Sequence, residues 1–192
     1  MVRILAFAGS ARRHSWNKKL VAIAGEAASA AGAEVTRVDL ADYPMPIYCE
    51  DLEAEQGLPD SVRRFKQLLV DHDGFLIASP EHNSAYSALL KNAIDWCSRR
   101  EQQDEPSLLA FNGKVAALMS TSPGALGGLR GLVSLRMLLG NIGVLVLPQQ
   151  QAVGNAVQAF GEEGQLLDPG QQSRIEGLGV ALVETVRRLN GG

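Results

Sequence analysis

The chain has 192 residues, 46% hydrophobic and 20% charged, with a net charge of −3, which suits one domain with a sizeable core. Arg and Lys occur in short pairs such as Arg12-Arg13, Arg63-Arg64 and Arg99-Arg100, so no extended basic face is available for nucleic acid, and no apolar run approaches the ~20 residues that span a bilayer. Cys49 and Cys97 are too few and too far apart for a disulfide framework or a Cys-x-x-Cys motif, which makes a reducing cytoplasm the expected setting.

In chain order, Val2–Ala8 comes first. Its apolar core is shorter than the ~7–15 residues of a secretory signal and an Arg pair follows at once, so it reads as a buried strand. The segment Gly9-Ser10-Ala11-Arg12-Arg13-His14-Ser15-Trp16-Asn17 then makes a small, hydroxyl-rich, cationic turn into a helix over Trp16–Ala31. Glu34–Asp39 reads as the second strand. The connection Leu40–Leu58 is long and carries Pro44, Pro46, Tyr43, Met45, Ile47 and Tyr48; it fits either a functional cover or a surface crossover.

A helix over Pro59–Val70 leads to a third strand, Gly74–Ala78, and to a second polar turn, Ser79-Pro80-Glu81-His82-Asn83-Ser84. There follow a helix over Leu89–Arg100, a polar loop Glu101–Asn112, a strand Lys114–Ser120, a helix Leu129–Leu139 and a strand Val144–Leu147. The last helix, about Gln171–Leu189, places Ile175, Leu178, Leu182, Val186 and Leu189 at near-helical spacing.

Short apolar runs alternating with amphipathic ones predict βαβ units around a parallel sheet. Five strands in this rhythm predict an α/β, doubly wound, flavodoxin-like sheet of order 2-1-3-4-5 with helices on both faces. No repeat, low-complexity tract or linker divides the chain, so residues 1–192 read as a single flavodoxin-like domain. The switch point of that order lies between strands 1 and 3, the strands that feed the two polar turns.

The first turn has the chemistry of an anion site. Helix N-terminal N–H groups and the helix dipole favour a phosphate there. Ser10, Ser15 and Asn17 add side-chain donors, and Arg12 adds a planar fork. An ordinary capped helix start, with Ser15 as N-cap and solvated arginines, accounts for the same residues. In the second turn, Pro80 stiffens the exit from the strand, and Asn83 offers a donor and an acceptor to the polar edge of a heteroaromatic ring. His82 reads as a ring or substrate contact or as a loop histidine bonded to backbone. Glu81 reads as paired with a basic residue or solvated.

Competing chemistries lack their residues. Gly9 stands alone where a dinucleotide fingerprint needs three glycines, and Asp39 reads as a strand-end residue rather than a ribose ligand. No Gly-Lys-Ser/Thr loop and no Gly-x-Ser-x-Gly elbow occurs, and His14, His72 and His82 show no metal-ligand spacing. No metal site and no dedicated catalytic acid or base is expected.

With these residues in place, the chain resembles the NAD(P)H-dependent FMN reductases, a flavodoxin-like family that includes quinone, chromate and azo-dye reductases. Its pattern Gly-Ser-x-Arg-x-x-Ser-x-Asn-x-x-Leu is matched by Gly9, Ser10, Arg12, Ser15, Asn17 and Leu20. Its second pattern, Pro-Glu-Tyr-Asn followed by Leu-Lys-Asn-Ala-Ile-Asp-Trp, is matched from Pro80 to Trp96. His82 departs from the usual Tyr, and Ser87-Ala88 stands where many members carry Pro-Gly. A weaker match is Ser122-Pro123-Gly124 followed by Gly127-Gly128-x-Arg130.

The resemblance implies FMN as cofactor and NADPH or NADH as co-substrate. Ser10, Arg12, Ser15 and Asn17 would hold the phosphate, Pro80, Glu81, His82 and Asn83 would line the ring, and Ser122 would lie on its far side. Hydride would pass from NAD(P)H through the flavin to a small acceptor such as a quinone, flavin, azo compound or chromate. True flavodoxins lack an arginine in this loop, so Arg12 points to the reductase branch; an electron carrier or regulatory module is the alternative. The resemblance also implies a homodimer or homotetramer, with apolar faces around Trp96 and the Leu40–Leu58 loop as candidate interfaces.

Overall fold

The computed structural model describes residues 1–191. Strand β1 (Arg3–Ala8) leads to helix α1 (Trp16–Ala30), then β2 (Glu34–Asp39) and a 3-10 turn (Leu40–Asp42). Helices α2 (Glu50–Gln56) and α3 (Asp60–Asp71) precede β3 (Gly74–Ala78), a hairpin of β4 (Glu81–His82) and β5 (Ala85–Tyr86), and α4 (Ala88–Cys97). Strand β6 (Val115–Thr121), α5 (Leu129–Asn141), β7 (Leu145–Val153), α6 (Ala156–Ala159) and α7 (Pro169–Leu189) complete the chain order. The sheet order is β2-β1-β3-β6-β7, all parallel, which is the expected 2-1-3-4-5.

The period-2 geometry of the strands divides the core in two. Ile4, Ala6 and Ala8 of β1 pack with Leu20 and Ala24 of α1 and with Leu178 and Leu182 of α7. Leu5 and Phe7 turn the other way, onto Phe65 of α3, Leu90 of α4 and Leu135 of α5. Burial on both faces explains why β1, β3 and β6 read as unbroken apolar runs.

Three elements depart from the sequence expectation. Strand β7 runs to Val153 rather than ending at Leu147, because it is an edge strand whose Pro148 sits where the register against β6 jumps. Helix α2 lies inside the Leu40–Leu58 connection; none of its residues is buried, so it leaves no apolar period. The β4–β5 hairpin occupies the second polar turn.

The Leu40–Leu58 connection is fastened to α4. Trp96 Nε1 and Asn92 Nδ2 each donate to Pro46 O at 2.8 Å, and Tyr48 N donates to Asn92 Oδ1 at 2.8 Å. Trp96 is fully buried, so it is a core residue. Cys97 beside it is also buried, and burial pushes its thiol up against the opposing pull of Lys66; it is an inert core thiol. Among the described residues no helix is long and apolar enough to cross a membrane.

Candidate functional site

The carboxyl ends of β1 and β3 open into a cleft of about 520 Å³, within the size range of small-molecule sites. Ser10, Arg12, Ser15, Asn17, Pro80, Glu81, His82 and Ser122 all line it. Parallel pairing of β1 with β3, Ala8 against Ala78, is what brings the two turns together across some seventy residues of sequence. Asn83 lies apart from the lining, at the hairpin tip with φ 52°.

The first turn leaves donors unspent. Ser15 has the extended backbone of an N-cap, yet its hydroxyl makes no cap hydrogen bond, and the residue is buried. The first two amides of α1, at Trp16 and Asn17, have no intrahelical acceptors, while Lys18 N donates to Ser15 O at 3.1 Å. Arg12 lays its guanidinium over the Trp16 ring, 4.6 Å from the centroid, rather than pairing with an acid. Ser10 Oγ accepts from Arg12 N at 3.3 Å, which holds the loop in its bend. Asp39 is engaged elsewhere: it pairs with Lys18 and accepts from Ala41 N at 3.0 Å.

Asn17 does two jobs. Its Nδ2 donates to Thr121 O at 2.9 Å and its Oδ1 accepts from Thr121 N at 3.0 Å, joining α1 to the end of β6. That uses one of its two amide hydrogens. Ser122, next in the chain, is held from behind: its N donates to Val153 O and its O accepts from Ala156 N.

The second turn is built on Ser87. Its hydroxyl accepts from Leu90 N at 3.2 Å as the N-cap of α4 and donates to Gly9 O at 2.6 Å. The departure Ser87-Ala88 therefore supplies both a helix cap and a direct tie between the two loops. Glu81 turns its carboxylate onto the start of α5. Its carboxylate accepts from Arg130 Nε and Nη2 at 2.9 and 2.6 Å and from Gly131 N at 3.1 Å. Burial raises the Glu81 carboxyl, but the bonds from Arg130 and Gly131 outweigh it and hold it below the usual glutamate value.

Trp16, Leu89, Thr121 and Pro123 also line the cleft, with Gly9 and Ala11. Their signal in sequence is faint, since an aromatic or leucine beside a motif is ordinarily core. Trp16, Leu89, Pro80 and Pro123 give the cleft apolar surface beside a cluster of unspent donors. A dianionic phosphate fits the donors, and a planar ring fits the apolar surface.

The chain from residue 2 to 158 matches the family model described as NADPH-dependent FMN reductase. It is 35% identical over 192 residues to an NAD(P)H-dependent FMN reductase of Pseudomonas aeruginosa, covering 99% of this chain and 98% of that protein. It is 32% identical over 196 residues to an NADPH:quinone oxidoreductase of Arabidopsis thaliana, covering 100% and 95%. Among solved structures it is similar to FerB, a flavoenzyme NAD(P)H:(acceptor) oxidoreductase from Paracoccus denitrificans, with a TM-score of 0.78, 27% identity and 98% of each chain covered.

Proposed function

The chain belongs to the NADPH-dependent FMN reductase family, and from that premise we propose that it reduces a small acceptor (a quinone, a free flavin, an azo compound or chromate) at the expense of NADPH or NADH. The single observation that carries this reading is the placing of unspent donors and apolar side chains in one cleft. FMN, when bound, supplies the hydride chemistry; the protein supplies binding and orientation.

Ser10, Arg12, Ser15 and Asn17, with the first amides of α1, hold the phosphate of FMN. Pro80, His82, Ser122 and Pro123, which line the same cleft, would border the ring, while Asn83 stands outside that lining at the hairpin tip. No side chain is assigned a proton transfer. NAD(P)H and the acceptor use the same open mouth in turn, so the first product leaves before the second substrate docks. The acting form is a homodimer or homotetramer in the cytoplasm. Supporting the oligomer, Leu129, Val133 and Met137 repeat every fourth residue along α5 and are 43%, 62% and 65% exposed.

Titration of FMN into the purified protein, followed by steady-state turnover of NADPH with 1,4-benzoquinone, tests the reading. Saturable binding with double-reciprocal lines that stay parallel as quinone is varied supports it. Binding without NAD(P)H turnover makes the protein a carrier, and failure to bind FMN removes the site.

A further inference from the structure

The β4–β5 hairpin is too small to hold itself in place. Two residues pair with two, and both tip residues, Asn83 and Ser84, stand at positive φ (52° and 67°), which disfavours side-chain-bearing residues. Helix α5 is what supports it. A Cβ on Gly131 would stand 3.1 Å from Ala85 O and 3.4 Å from Glu81 Cβ. A Cβ on Gly128 would overlap Ser120 Oγ and approach Glu81 Cβ to 3.5 Å. Glycine at these two positions lets the hairpin and β6 lie directly on the first turn of the helix.

Glu81 then fastens the contact. The N-cap of α5 is Gly128, which has no side chain to cap the free amides of the first turn. The missing cap arrives from the hairpin, as Glu81 Oε2 accepts from Gly131 N, the third residue of the helix. Oε1 takes both hydrogen bonds of Arg130. The glutamate side chain is 9% exposed and the arginine 59%, so the pair closes the seam from the solvent side. An anion here also meets the positive end of the α5 dipole.

We infer that Glu81 is a positioning residue: by capping α5 and pairing with Arg130 it fixes His82 and the Asn83-Ser84 turn at the mouth of the cleft. The role rests on the flavin reading of the cleft given above. Its three donors come from α5, so the carboxylate acts on the docking of nicotinamide and acceptor through the hairpin it holds. The phosphate contacts, whose charge-assisted bonds supply most of the FMN affinity, belong to a different element, the turn between β1 and α1.

Wild type, Glu81→Gln, Glu81→Ala and Arg130→Ala are compared in three measurements: amide hydrogen exchange without flavin, FMN affinity by flavin fluorescence, and NADPH kinetics with added FMN. In Glu81→Ala, exchange at residues 82–86 and 131 rises about tenfold while residues 10–17 are unchanged. FMN affinity stays within about threefold of wild type while KM for NADPH rises about tenfold, a larger change than in kcat. Glu81→Gln keeps an acceptor for Gly131 N and recovers most of both effects; Arg130→Ala, at an exposed position that does not threaten folding, falls between. Unchanged exchange at the hairpin overturns the inference. So does a loss of FMN affinity as large as the rise in KM, which makes Glu81 a flavin contact. Failure of the wild type to bind FMN overturns the flavin reading instead, and the flavin-free exchange measurement still decides whether Glu81 holds the hairpin.

Discussion

Asn17 and Thr121 bond to each other twice, side-chain amide against main-chain amide, and so join the helix that carries the phosphate loop to the strand that ends beneath the cleft. Both residues are buried. Asn17→Ala leaves the N–H and C=O of Thr121 without partners, and is expected to cost about 2–3 kcal/mol in urea denaturation. Flavin affinity falls with it. Asn17→Asp keeps the acceptor for Thr121 N but loses the donor to Thr121 O, and lies between. A stability loss with no effect on FMN binding makes this pair purely architectural.

Arg12 and Arg13 are adjacent in sequence but unequal in place. Both are exposed, but Arg12 lines the cleft and rests on Trp16, whereas Arg13 is outside the lining. Arg12→Ala is expected to weaken FMN binding by about 10–100-fold, the worth of a charge-assisted hydrogen bond to phosphate. Arg13→Ala changes it little, through long-range charge alone. Equal losses in a fluorescence titration contradict the assigned roles.

A pH dependence follows from Lys66 and Glu105, an ion pair buried between α3 and the 101–112 loop, with Lys66 Nζ also donating to Arg99 O at 2.8 Å. Burial raises the Glu105 carboxyl, but the bond from Lys66 and the N–H of Glu101 outweigh it and hold it below the ordinary 4.5. A carboxyl lowered on folding stabilises the fold above its unfolded value, and that contribution is lost as pH falls through the folded value. Glu105→Gln is expected to lower stability by about 1.5–3 kcal/mol at neutral pH. The gap to wild type closes as the pH drops below 4.5. Denaturation curves whose separation holds constant or widens in acid contradict this.

The α5 stripe of Leu129, Val133 and Met137 gives a test of assembly. Wild type is expected at the mass of a dimer or tetramer in light scattering. Val133→Glu combined with Met137→Glu moves it toward the monomer, because an exposed stripe tolerates charge in the monomer but not in an interface. A monomeric wild type, or an unchanged mass in the variant, contradicts the assignment.

The sheet order and the location of the cleft are legible in sequence because β1, β3 and β6 are buried on both faces, so their composition follows their position. The hairpin is not legible. Its strands are two residues long, and its tip is Asn83-Ser84 instead of a residue pair ending in glycine. The far end of β7 hides behind Pro148 and Gln149-Gln150-Gln151, since this edge strand is mostly uncovered and buries only Leu147 and Val153. The partner of Glu81 is hidden for another reason. Arg130 lies 49 residues away and reaches it only because β3 and β6 are neighbours in the sheet.

The central claim is tested most directly by the visible spectrum of the protein with FMN, recorded before and after adding NADPH or NADH in the absence of oxygen. Flavin bands that bleach rapidly are the expected result. No protein-bound flavin even after FMN is supplied, or bands that persist with both nicotinamides, contradicts the assignment of a flavin-dependent NAD(P)H reductase.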